Sequence, residues 1–267
     1  TLNVAEHFGL DHAIGGIAPG KLADMVIIPD PKIIRAEIVI SNGCVIAENG
    51  RLSVAPRHHS YAEKSLNTVR LPKKLAPNDF RIRFDKNIVK KKVRIIEMVT
   101  DLVTREIIEE VPLTNGELAE SRETNLAKIA AVARTHDPGK IFTGLIKGFG
   151  LKSGAMACSA AWDAACIVVV GSNGSDMALA ANRIHDLQGG VVICENNKIL
   201  HELALPVFGI MSELPVEALA DHMKQIKTAM EGLGVDFPDP VKALTALTGA
   251  AIPYLRICEE GLVNLKD

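Results

Sequence analysis

Eight histidines and five cysteines are the side chains best able to hold a metal or to act as acid, base or nucleophile. They are His7, His12, His58, His59, His136, His185, His201 and His222, with Cys44, Cys158, Cys166, Cys194 and Cys258. A zinc site needs such ligands at spacings that converge on one ion. No His-x-His and no Cys-x-x-Cys occurs, so the small nucleobase-deaminase signature is missing. His58 and His59 are adjacent, so their side chains diverge in an extended segment and read as a solvated pair. A Gly-x-x-x-x-Gly-Lys-Ser/Thr phosphate loop and a Gly-x-Ser-x-Gly elbow are also absent. The chain is therefore expected to bind no metal and no cofactor of its own.

The stretch 140–171 is richer. It holds glycines 144, 148, 150, 154 and 171 and the single tryptophan, Trp162. Phe149 sits between two conformationally permissive residues, Gly148 and Gly150. Asp163 lies just before an apolar run, where a carboxylate must be paired or wet. Such strand ends are where open α/β sheets gather ligands. Asp163, Trp162, Phe149 and Lys147 are thus the candidate site-facing residues, with Gly148–Gly150 and Trp162-Asp163 expected beside one cleft. The same stretch reads equally well as tight strand packing with a structural acid. Lys147 and Lys152 read as solvated, and His136-Asp137-Pro138-Gly139 reads as a turn.

The elements that must position these residues fall into three segments. Residues 1–57 read as one short helix followed by strands. Thr1 caps the helix, Leu2, Ala5 and Phe8 form its apolar face, and Gly9 ends it. Asp24–Ile28 is a strand, and 36–40 pairs with 44–47 through an Asn42-Gly43 turn. Three strands cannot close a core alone, so Ile27, Val39 and Val45 should lie on an open apolar face. A helix starting at Thr1 with no Met leads us to expect a preceding part of the protein. Residues 58–79 read as a linker. Residues 80–267 read as one α/β or α+β domain, a mixed sheet with flanking helices. Its strands are 93–99, 106–111, 141–146, 166–170 and 191–193. The continuous apolar run Cys166–Val170 marks a strand buried on both faces. Ser175 caps a helix with Met177, Ala180, Ala181, Ile184 and Leu187 on one face. The strands on either side of that helix should be parallel. Pro215 opens a long helix striped by Val216, Leu219, Ala220, Met223, Ile226 and Met230.

Composition narrows the function classes. The chain has 267 residues, which is nearer two domains than one. Its 30 basic and 32 acidic residues leave a net charge of −2, too balanced for an electrostatic grip on nucleic acid. Aromatics at 4% argue against base-stacking platforms. No apolar run approaches the ~20 residues of a membrane span, and Glu6 and His7 interrupt any signal peptide. An odd number of scattered cysteines fits reduced thiols in the cytoplasm.

Two stretches resemble a known family. Residues 13–27, Ala-Ile-Gly-Gly-Ile-Ala-Pro-Gly-Lys-Leu-Ala-Asp-Met-Val-Ile, resemble the segment that closes an amidohydrolase barrel and enters its flanking β-sandwich. Residues 144–156, Gly-Leu-Ile-Lys-Gly-Phe-Gly-Leu-Lys-Ser-Gly-Ala-Met, with Ile167–Gly171 and Asp176–Ala180, resemble the C-terminal domain of microbial adenine deaminase. Residues 205–212, Leu-Pro-Val-Phe-Gly-Ile-Met-Ser, and the tail Leu255-Arg256-Ile257 fit it too.

The resemblance implies that 1–57 are the end of the barrel and part of the sandwich. It implies a full-length hydrolase that converts adenine and water to hypoxanthine and ammonia, in purine salvage. A divalent metal (manganese, iron or zinc) would supply hydroxide to the amidine carbon. The family's metal ligands lie on the barrel, upstream of Thr1, so this chain alone should be inactive. The implied partners are the purine substrate, the upstream barrel and further copies of the protein in a homo-oligomer, with no nucleic acid or membrane. Where the family pattern reads Ala-His-Asp-Ser-His-Asn, this chain has Ala161, Trp162, Asp163, Ala164, Ala165 and Cys166. Both histidines are replaced and only the aspartate is kept. A non-catalytic purine-binding or assembly module is therefore the competing expectation. An upstream barrel with His-x-His in the reading frame would favour the enzyme.

Overall fold

The computed structural model describes residues 1–56, 59–118 and 125–265; His58, one of the expected solvated pair, lies outside them. The chain divides into two compact units, Thr1–Ser60 and Tyr61–Asp267.

In the first unit, helix α1 (Leu2–His7) ends where Gly9 takes φ 66°. Only Ala5 of its expected apolar face is buried; Leu2 and Phe8 are exposed. Strands β1 (Met25–Ile27), β2 (Ile38–Ser41), β3 (Cys44–Glu48) and β4 (Arg51–Leu52) form an antiparallel meander in that order. Asn42 and Gly43 both have positive φ, 50° and 76°, as a two-residue hairpin of this type requires. Ile27 and Val45 lie on one face, 44% and 46% exposed; Val39, opposite Val26, lies on the other face and is half-buried, so the three do not share the single face expected.

The second unit opens with α2 (Glu63–Leu66) and a 3-10 turn at Pro77–Phe80. Then come β5 (Lys90–Met98), β6 (Thr104–Thr114), β7 (Glu117–Leu118), β8 (Leu126–Ala133), β9 (Ile141–Lys147), β10 (Ala155–Cys158) and β11 (Cys166–Gly171). Helix α3 (Gly174–Asp186), β12 (Gly190–Glu195), β13 (Lys198–Ala204), α4 (Val216–Gly232), α5 (Pro240–Thr245), β14 (Leu255–Cys258) and β15 (Gly261–Asn264) complete it. Strands β5 to β13 make one mixed sheet in the order β13-β12-β10-β11-β8-β9-β5-β6-β7. Its neighbours pair antiparallel except β5 with β9. The expected parallel relation of β11 and β12 holds in direction, but the two do not touch as ladder partners. The small-residue strand β10 lies between them, antiparallel to both.

Two apolar layers bury β11 on both faces, as its unbroken apolar run requires. On one side Met177, Ala180, Ala181 and Ile184 of α3 cover Ile167, Val169, Val192 and Cys194. On the other, Ile226 and Met230 of α4 and Ala243 and Leu244 of α5 cover Met156, Val168, Val170 and Ile193. Val216 and Ala220, assigned from the sequence to the same α4 stripe, are exposed.

Two sequence expectations are corrected here. The segment 58–79 is not a mere spacer over residues 61–79, because Val69 and Leu75 are buried against the α3 layer. The Gln188 side chain accepts from the Val69 N–H and donates to its carbonyl, both at 3.2 Å. Asn182 does the same for Leu75 at 2.8 and 2.9 Å. Side-chain amides thus replace a strand partner, so no periodicity betrays the packing. Likewise α3 is capped by Asn173, whose Oδ1 accepts from the Asp176 N–H at 2.9 Å, and not by Ser175.

Asp176 is buried and fastens three elements. Its carboxylate accepts from Asn173 Nδ2 at 2.7 Å, Asn196 N at 3.2 Å and Asn197 N at 2.8 Å. Removing it orphans three donors, so Asp176→Ala should cost about 2–4 kcal/mol in urea unfolding; a loss under ~1 kcal/mol would contradict this role. Gly189 has φ 126°, and a Cβ there would lie 2.4 Å from the Leu205 carbonyl oxygen and from Gly209 Cα. Gly189→Ala should therefore destabilise by about 2 kcal/mol or more, and an unchanged urea midpoint would refute this close approach.

Candidate functional site

Strand register decides which of the sequence-marked residues can share a site. Strand β8 runs antiparallel to both β9 and β11. Phe149 follows the last residue of β9, whereas Trp162 and Asp163 precede the first residue of β11. These are opposite ends of the sheet, separated by about 23 Å of strand at ~3.3 Å per residue. The expectation that Gly148–Gly150 and Trp162-Asp163 flank one cleft is thus corrected. Phe149 is 1% exposed, edge-on to Phe237 with centroids 5.5 Å apart. It is a core residue, and its flanking glycines serve backbone close approach. Lys147, at the same end, pairs with Glu109 at 2.5 Å.

The other end gathers more chemistry. Here β8 delivers Arg134, β10 delivers Ser159, the loop 159–165 enters β11, Gly190 begins β12 and residues 205–211 leave β13. Ser159 is fully buried. Its hydroxyl donates to the Gly209 carbonyl at 2.6 Å and accepts from the Gly190 N–H at 2.8 Å. The Phe208 N–H donates to the Ser65 carbonyl at 2.6 Å. Those bonds hold Phe208 at φ 55°, a strained setting for a bulky residue, with its ring 48% exposed.

In the loop, Trp162 is 42% exposed and packs beside Gly249, where an added Cβ would meet the indole at 3.2 Å. The Trp162 carbonyl accepts from the Thr248 hydroxyl. Asp163, exposed and at φ 55°, accepts from the Ala250 N–H at 2.8 Å. The loop is therefore tied to residues 245–250 through both candidates. Asp163 is partly spent on that tie and keeps the rest of its carboxylate in water. His136 is exposed at a turn closed by the Gly139 and Lys140 N–H groups, matching its sequence reading.

Sequence reasoning missed Arg134. It is 5% exposed, and no described residue accepts from its Nε or forms an ion pair with it. Burial pushes its pKa below the ordinary guanidinium value, although a guanidinium remains charged. The thiols whose charge it senses, Cys158 and Cys166, are themselves pushed up to about 12 by burial and stay neutral. Arg256, also buried and also with one nitrogen, Nη1, lacking a partner among the described residues, differs in donating to the carbonyls of Ile252, Pro253 and Leu102 at 2.7, 2.6 and 3.0 Å. An uncompensated buried cation is a ready receptor for a carbonyl, a ring nitrogen or an anion. An arginine at a strand end has no local signal that sets it apart. Among the described residues no group of three or more His, Cys, Asp or Glu is placed to hold a metal.

The two arginines should respond oppositely to removal. Arg134→Met should leave the urea midpoint of the chain unchanged or raised, because it deletes an uncompensated charge and keeps the apolar stem. Arg256→Met should lower stability by about 2 kcal/mol or more. Equal losses in both would show that Arg134 is satisfied within the chain.

The model of the adenine deaminase C-terminal domain family matches residues 101–267. An adenine deaminase of Desulforamulus reducens is 35% identical over 268 residues, covering 100% of this chain and 45% of that protein. One of Clostridium botulinum is 34% identical over 265 residues, covering 99% of this chain and 44% of that protein. One of Mesorhizobium japonicum is 34% identical over 267 residues, with 99% and 44% covered. The chain thus spans a little under half the length of these relatives. With the sheet and edge motifs that the match embraces, the chain belongs to the adenine deaminase C-terminal domain family.

Proposed function

We propose that this chain is the C-terminal portion of an adenine deaminase of the amidohydrolase type, acting on adenine and water to give hypoxanthine and ammonia. The observation that carries the reading is its match, from end to end, to adenine deaminases more than twice as long. Residues 1–57 would be the end of the catalytic barrel and part of its sandwich. The metal (manganese, iron or zinc) would be held by that barrel, as the resemblance to the family implies. We also assign the whole protein to the cytoplasm, to purine salvage and to a homo-oligomer. Among the described residues no helix is long and apolar enough to cross a membrane.

Within the chain, the substrate-facing surface is the sheet end carrying Arg134, the loop 159–165 and residues 205–211. The family-like stretch 205–212 lies there, and there the buried Arg134 has no acceptor for its Nε among the described residues. Trp162 and Phe208 would supply flat apolar walls for a purine, and Arg134 a donor for its acceptor atoms. Lys147 and Phe149 are left out of this surface. The replacement of two family histidines by Trp162 and Ala165 favours a second reading, a purine-binding module without turnover. An indole is donor-only and cannot exchange a proton as an imidazole does.

Ammonia release from adenine separates the readings. The full-length protein with its metal centre occupied should turn adenine over, and the 267-residue chain should not. Turnover by the chain alone would overturn the assignment, and none by the loaded full-length protein would favour the module. In the full-length protein, Trp162→His with Ala165→His should change kcat, whereas Trp162→His alone should not. An unchanged kcat in the double variant would leave the loop a purely structural role.

A further inference from the structure

The long helix α4 and the edge strand β13 bring together two histidines that lie 21 positions apart. His201 Nε2 and His222 Nδ1 are 3.1 Å apart, with ring centroids 5.1 Å apart and planes inclined by 46°. Both rings are half-buried. Each sits on a firmly held element. His201 is opposite Ile193 in the β12–β13 ladder, and α4 is anchored by the buried Ile226 and Met230. The alternation of β13 sends the neighbouring Glu202 to the opposite face, where Arg183 holds it at 2.7 and 2.8 Å. That carboxylate is thus unavailable to the histidine pair.

Two imidazole nitrogens, each ~2.05 Å from one ion, lie about 3.4 Å apart at a tetrahedral angle and about 2.9 Å apart at a right angle. The observed spacing falls between these values. It is also the length of a shared-proton hydrogen bond, whose proton lies between the nitrogens, whereas an ion would sit to one side of the line joining them. We propose that His201 and His222 form a two-histidine site for a divalent transition metal of the kind that prefers imidazole, with water completing the shell. Partial exposure leaves room for that water. The site would clip α4 to the sheet edge. It is independent of adenine turnover.

Zinc chloride titrated into the 267-residue chain by calorimetry tests the proposal. The wild type should bind one equivalent, and so should His58→Ala with His59→Ala, the adjacent pair elsewhere in the sequence. His201→Gln and His222→Gln should each bind at least tenfold more weakly. Imidazole nitrogen resonances of the wild type supply the check that needs no variant: those of His201 and His222 should shift together with zinc. Absence of saturable binding, wild-type affinity in either glutamine variant, or shifts confined to other histidines would overturn the site.

Discussion

Strand β11 has no face to give to water, and the second unit is arranged around that constraint. Cys166 through Gly171 are buried throughout, so an apolar layer must form on each side of the sheet. Helix α3 supplies one, and α4 with α5 supplies the other. Burying a valine or isoleucine side chain contributes roughly 1.5–3 kcal/mol, and β11 holds one isoleucine and three valines. The ladder partners inherit the same environment. Small residues Ala155 and Ala157 in β10, and Ala130 and Ala131 in β8, let the helices approach closely. Many polar groups are consequently placed at the two ends of the sheet, where the residues proposed to face substrate lie.

The two ends are chemically unlike. At one, the polar groups are mutually satisfied: Asp176 meets three donors, and Lys147 meets Glu109. At the other, Ser159 is fully used, but Arg134 faces neutral thiols and, among the described residues, pairs with no carboxylate. Exposed Trp162 and Phe208 flank the same end. An unbalanced cation beside apolar rings suits a flat, acceptor-bearing heterocycle better than a hydrated ion.

Much of the fold was legible in the sequence because its signals are local. The Asn42-Gly43 hairpin, the apolar run at 166–170 and the α3 face follow from turn chemistry and periodicity. The order of strands was not legible, because β10 has only four residues and enters between β11 and β12 from earlier in the chain. Residues 61–79 escaped for a related reason, being held by Gln188 and Asn182 instead of by a ladder. For the site, Trp162 and Asp163 were marked by their place before a buried strand, and both lie at the proposed edge. Phe149 was marked by its glycines, which turn out to permit close backbone approach, with Gly150 against Gly234 and Gly148 against Met98. Arg134 and the His201–His222 pair depend on tertiary contacts that no spacing rule reports.

The account rests most heavily on which end of the sheet meets the substrate. Hydrogen–deuterium exchange of the full-length protein, with and without adenine, reads that directly. Adenine should slow exchange of backbone amides in 159–165 and 205–211 and leave 147–154 unchanged. Protection confined to 147–154, or no change at either end, would contradict it.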